Sequence, residues 1–235
     1  MADVIDGGNA FSTFEEDAPN YVGSFSGASR TVQDVALSVR RQFGDDAGVQ
    51  IEDQDIIRWV NEAQDVIVNR NRILKARSVV TSIRGQARYR WPDERILQVE
   101  SIHYDGIAIP NVPFPEAERW FSENSTLSGP PQVWYEWAGA FTFVPTPDAE
   151  KEIELYLTLK PTLIANLSDT LSVPDKYFSD VVRYVMLQAY EMDEDWDAVK
   201  TKQQQFDASV NELGEEERTA QNMTYPVIQC VDDWC

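Results

Sequence analysis

Side chains able to do chemistry are few in this sequence and stand far apart. His103 is the single histidine, in a run of β-forming residues with no Ser or Cys nucleophile motif as partner, so it reads as structural. Asp193, Asp195 and Asp197 imitate the opening of a calcium loop. The positions that need the turn glycine and the closing bidentate glutamate hold Ala198 and Gln204, however, and the match fails. Met192, Trp196 and Val199 keep helical spacing through these acids, which predicts a solvated helix face. Cys230 and Cys235 lie too near the end to staple the residues before them. Without a second Cys or His pair they also make a poor zinc site. No Gly-rich phosphate loop, Gly-x-Ser-x-Gly elbow or His-Glu-x-x-His pair is present. The 40 acids could supply paired carboxylates for glycoside cleavage, yet no spacing selects a pair. The expectation is a protein that is not an enzyme, with no catalytic residue, no metal and no cofactor.

Charge is distributed less evenly. Arg70, Arg72, Lys75, Arg77, Arg84, Arg88, Arg90 and Arg95 form an island interrupted only by Asp93 and Glu94. They belong to a chain with 20 Lys+Arg against 40 Asp+Glu and a formal charge of −20. Three roles fit such segregation. The island can meet an acidic patch on another copy or another ring, form a collar that touches DNA, or be a plain solvated strand face. The overall acidity argues against broad affinity for nucleic acid, which depends on cations neutralising phosphates. It suits a surface that DNA slides past, and equally suits simple solubility.

The elements that must carry these residues follow from periodicity. Residues 1–29 hold no basic residue and only isolated aromatics, Phe11, Phe14, Tyr21 and Phe25, which predicts an extended arm pinned on a neighbouring surface. Thr31 is placed to cap a helix through Phe43 that Gly44 ends. Asp53 is placed to cap a longer one to about Ile73, with Ile56, Val60, Ala63 and Ile67 on one face. The period then changes to two. Strands are predicted at Ser78–Ile83, Gln86–Trp91, Ile96–Tyr104, Val133–Trp137, Ala140–Val144 and Ile153–Leu159, with turn signals at Arg84-Gly85, Asp105-Gly106 and Ala138-Gly139. A short helix around Glu116–Phe121 interrupts them.

Beyond Pro174 a broad apolar stripe, from Phe178 through Val185, Ala189 and Met192 to Trp196 and Val199, predicts a helix inside a bundle. The expected fold class is α+β. N- and C-terminal helices (30–75 and 172–214) form a bundle with an inserted antiparallel β-sandwich or barrel (76–171), and extended arms lie at 1–29 and 215–235. The second arm carries Tyr225, Pro226, Val227, Ile228 and Trp234, apolar residues that a partner groove would shelter. No run reaches the roughly 18 apolar residues of a membrane span, and no basic start marks a signal peptide. A soluble protein is expected, with no membrane partner.

Five segments carry a resemblance: Asp53-x-Asp-Ile-Ile-x-Trp-Val-Asn-Glu-Ala, Trp91-Pro-Asp-Glu-Arg-Ile-Leu-Gln-Val, Gly129-Pro-Pro-Gln-Val-Trp-Tyr, Phe143-Val-Pro-Thr-Pro-Asp and Leu171-Ser-Val-Pro-Asp-Lys-Tyr. In this order, over about 51–214, the chain resembles bacteriophage head-to-tail adaptor (neck, head-completion) proteins. The resemblance implies a structural virion protein assembled in the host cytoplasm. It would form a dodecameric ring around the DNA channel, bound to the portal above and to a tail, nozzle or tail-terminator protein below, with only passive contact to passing DNA. A C-terminal extension often engages the portal in that family, which would assign portal binding to residues 215–235. The eight cations of the island would then make contacts between subunits or along the channel. The long N-terminal arm and the cysteine-bearing end depart from the pattern. The alternative is a carbohydrate- or receptor-binding sandwich of the virion, suggested by Trp91, Trp120, Trp134 and Trp137; a hydrolase ranks third.

Overall fold

The structure, a computed structural model, describes residues 30–117, 119 and 128–222. The expected N-terminal arm lies outside them, as do Tyr225, Pro226, Val227, Ile228 and Trp234. The fold is α+β with antiparallel sheets, and it divides into two compact units. One is built on Lys75–Leu159, the other on the described parts of Gly27–Leu74 and Lys160–Cys235.

In the helical unit, α1 (Val32–Phe43) begins at a reciprocal cap. The Asp34 N–H donates to Thr31 Oγ1, and the Thr31 N–H returns a bond to Asp34 Oδ2 at 2.9 Å. That backbone bond holds the Asp34 carboxyl below its ordinary range. Gly44, at φ 86°, closes the helix, and Val32, Val35, Ala36 and Val39 form its buried face. Helix α2 (Asp53–Asn71) starts one residue earlier than predicted. Asp53 is its first residue, because its carboxylate is drawn to Arg40 Nη2 at 2.6 Å instead of capping. Its apolar side includes Ile56, Trp59, Val60, Ala63 and Ile67. Between the helices, Asp45 accepts the N–H groups of Val49, Gln50 and Ile51, each at 2.9 Å.

The chain re-enters this unit along 160–174, stitched to α2 by polar side chains. Asn61 accepts the Ile164 N–H at 2.9 Å and donates to the Ile164 carbonyl at 3.0 Å, while Gln64 Oε1 accepts the Ser172 N–H at 2.6 Å. A 3-10 turn (Asp175–Tyr177) leads into α3 (Phe178–Met192), whose Val181, Val182, Val185, Met186 and Ala189 are buried.

Two expectations for this half are corrected. The predicted helical stripe does not continue through the acids: α3 stops at Met192, Glu194 takes a left-handed φ of 59°, and α4 (Trp196–Asn222) begins afresh. The physical reason is Asp195, whose Oδ1 accepts the Ala198 N–H at 3.1 Å and so satisfies a new helix start. The second correction concerns 215–235, expected to be extended from its first residue. Helix α4 runs through Gly214 to Asn222. Gly214 serves close approach here, not termination. A Cβ on it would lie 2.5 Å from Asn71 Oδ1, while Asn71 Nδ2 donates to the Val210 carbonyl at 2.8 Å and to the Tyr177 hydroxyl at 3.3 Å. Lys176 pairs with Glu217 one turn further on.

The second unit contains β1 (Lys75–Thr81), β2 (Arg88–Arg90), β3 (Ile96–Tyr104), β4 (Ile107–Ile109), β5 (Val133–Trp137), β6 (Ala140–Val144) and β7 (Glu152–Leu159). They form two antiparallel sheets, ordered β1-β7-β3-β4 and β2-β6-β5. Strand β1 begins at Lys75, earlier than its apolar run suggests, because Lys75 pairs with Thr158 of β7. Strand β4 is missing from the periodicity reading, being three residues long and followed by Pro110. The turn before it, Asp105-Gly106, has both φ positive, at 52° and 78°.

Inward residues of both sheets share one apolar cluster, with Ile102, Ile153, Leu155 and Leu157 from the first and Tyr89, Trp134, Phe141 and Phe143 from the second. Ile153, Leu155 and Leu157 realise the predicted alternation of β7, although Thr158 is also fully buried. On the other side of the second sheet, Val133, Tyr135 and Val144 are covered by Val112, Phe114 and Ala117. Residues 114–117 and 119 are helical, and the rest of the predicted 116–121 helix lies outside the described residues.

Candidate functional site

The strand register brings His103 into company that its sequence neighbours do not show. On the first sheet, Ser101 pairs with Tyr156 and His103 with Glu154, and Arg77 of β1 stands opposite Tyr156 on the other side. Ser101 Oγ lies 3.4 Å from His103 Nε2, and the His103 and Tyr156 rings are 5.0 Å apart. The Tyr156 hydroxyl donates to Glu154 Oε2 at 2.8 Å, and Arg77 donates to Oε1 at 2.8 Å. The tyrosine bond first, then the guanidinium, holds the Glu154 carboxyl below its usual range. A signal for this grouping exists in the alternation of 101 with 103 and of 154 with 156, but it requires knowing which strands are neighbours. In a pleated sheet the backbone donors point along the ladder, so none is aimed at an oxyanion above this face. The arrangement is a polar ladder that ties β1, β7 and β3 together.

The basic island is divided between the two units. Arg70 and Arg72 belong to the helical unit, the other six cations to the sheet unit. Four find carboxylates within the chain: Arg70 with Asp207 at 2.6 Å, Lys75 with Glu100 at 2.7 Å, Arg77 with Glu154 at 2.8 Å and Arg95 with Asp93 at 2.8 Å. Arg72 ends α2 in a left-handed conformation at φ 52°. Arg84, Arg88 and Arg90 are exposed and make no ion pair among the described residues. Arg88 and Arg90 project from one side of β2, with the buried Tyr89 between them pointing the other way.

The tryptophans divide by role. Trp134 is buried and its Nε1 donates to the Ile109 carbonyl at 3.1 Å. Trp91 packs edge-on against Trp134 and beside Phe141. Both serve the core, and Trp120 lies outside the described residues. Among the described three, Trp137 is the open platform, 55% exposed and stacked on Phe114 at 4.4 Å. Its pairing with Ala140, itself paired with Arg90, places the ring in one cross-strand row with that arginine, and Arg88 Nη2 reaches the Trp137 carbonyl at 3.5 Å.

In the helical unit the corresponding exposed anchors flank the α3–α4 elbow: Met192 is 48% and Trp196 63% exposed. Glu191, Asp193, Glu194, Asp195 and Asp197 adjoin them in sequence. Trp196 also borders an open groove lined by Tyr184, Leu187, Val199 and Phe206.

Among the described residues no group of three or more His, Cys, Asp and Glu could hold a metal ion, and no helix is long and apolar enough to cross a membrane. No curated protein matches the chain. The family described as SU10 adaptor protein matches residues 30–229, a span that takes in both compact units. The chain therefore belongs to the SU10 adaptor protein family, and with it to the phage head-to-tail adaptors, structural components of the virion.

Proposed function

We propose that this protein is one subunit of a dodecameric ring beneath the portal, joining the capsid to a tail, nozzle or tail-terminator protein and continuing the DNA channel. The observation that carries this reading is the family match over residues 30–229, which runs through helices, sheets and the end of α4 alike. The architecture we propose is a helix bundle, formed by segments from both ends of the chain, with a β-sandwich inserted between them; the shared core of the two sheets supports it. With 40 acids against 20 cations, acidic surface on the channel keeps passing DNA mobile. Tyr225, Pro226, Val227, Ile228 and Trp234 dock on the portal, where burial offsets the cost of leaving them in water.

The test is imaging of the full-length protein mixed with its phage's portal. A ring of this chain seated on the portal is the expected result. Absence of the protein from the portal vertex of assembled particles overturns the reading.

A further inference from the structure

We infer that the basic, aromatic face of β2 and β5 in one copy docks on the acidic α3–α4 elbow of the next copy in a head-to-tail contact. The inference rests on the ring reading above and assigns the surfaces that close the ring. Arg88 and Arg90 share one exposed face in a chain with twice as many acids as cations, yet neither pairs with a described carboxylate. The neighbouring cations Lys75, Arg77 and Arg95 are all engaged within their own unit. Beside the two arginines stands Trp137, 55% exposed and braced by Phe114. Arginine next to a rigid, exposed aromatic ring is the composition of an interface centre.

The elbow repeats that composition with the opposite sign. Asp193, Glu194 and Asp197 make no ion pair with a described cation, and they adjoin in sequence Trp196, 63% exposed, and Met192, 48% exposed. Opposite charges favour pairing of the two faces over like with like. In the ring proposed above that pairing is heterologous, each copy presenting its basic face to one neighbour and its elbow to the other, and contacts of this kind propagate around a ring. DNA is the weaker match for the basic face, because phosphate binding draws on many cations and this chain carries a formal charge of −20.

The test uses the full chain and its phage's portal, with three variants checked for native circular dichroism: R88E/R90E, D193K/E194K, and the four substitutions combined. Each single-sided variant is expected to lower the yield of portal-bound rings by about tenfold or more, since like charges then face each other. The combined variant, whose charges are complementary again, is expected to recover most of the wild-type yield. Rings formed at wild-type yield by R88E/R90E overturn the contact while leaving the ring reading intact. A combined variant that folds but stays as defective as its parents also overturns it. If R88E/R90E assembles normally and instead loses retention of duplex DNA, the arginines face the channel and the contact is overturned in favour of DNA. Wild-type protein that forms no ring on the portal refutes the ring reading, and the contact falls with it.

Discussion

Asp45 organises the connection between α1 and α2 through bonds to the Ile51, Val49 and Gln50 N–H groups, and of these the Ile51 bond does most to hold its carboxyl below the ordinary aspartate range. A depressed folded value means that, as pH falls, the unfolded chain takes up this proton before the folded chain does. The stabilisation is therefore complete above the ordinary aspartate value and is lost as pH drops through the folded one. We predict that Asp45→Asn, which turns one acceptor oxygen into a donor facing N–H groups, lowers stability at neutral pH and flattens the acid-side decline. Denaturant midpoints of both proteins across the acidic range check this, and parallel curves would contradict it. Nothing in the sequence announces this role, because the partners lie four to six residues ahead in an irregular loop. Thr31 and Gly44, by contrast, are legible because a helix cap is built from immediate neighbours.

Elements are legible to the extent that their cause is local. The alternation of Ile153, Leu155 and Leu157 specifies β7 because one face meets the core. Strand β4 escapes because three residues before a proline carry too little period to count, and the break after Met192 escapes because apolar spacing continues across it while Asp195 starts a second helix. Gly214 misleads for a different reason: a glycine after a helical run resembles a stop, and only the partner helix reveals that it makes room for Asn71. Replacing it with alanine tests the contact between α2 and α4. Intrinsic propensity favours alanine in a helix by about 1 kcal/mol. Against that, the added methyl group displaces a buried asparagine that holds the Val210 carbonyl and the Tyr177 hydroxyl. We predict that Gly214→Ala is net destabilising, by about 1–2 kcal/mol. Adding Asn71→Ala should produce less than the summed loss in a double-mutant cycle. A stabilised Gly214→Ala protein would show that the contact yields freely.

At the scale of the whole molecule, the sequence shows a change of period from helix to strand and back, and the family match spans it. It does not show which cations of the basic island are paired, since ion pairing with Glu100, Asp207 and Glu154 depends on which strands and helices become neighbours. The course of α4 sharpens the truncation that isolates the C-terminal arm. A stop after Gly214 would remove Glu217, which pairs with Lys176, together with about two turns of helix. A stop after Asn222 spares both. We predict that the chain ending at Asn222 retains the melting temperature of the full protein and loses portal binding in a pull-down. Undiminished binding would move portal recognition elsewhere in the chain.

The helical unit draws on two stretches separated in sequence, whereas Lys75–Leu159 is continuous. As a ribosome delivers the chain, the sheet residues are all present while α1 and α2 still lack α3 and α4. Those first helices must wait with Ile56, Val60 and Ile67 short of their partners until α3 and α4 have been made. A product terminated before these last two helices would thus lack a finished helical unit.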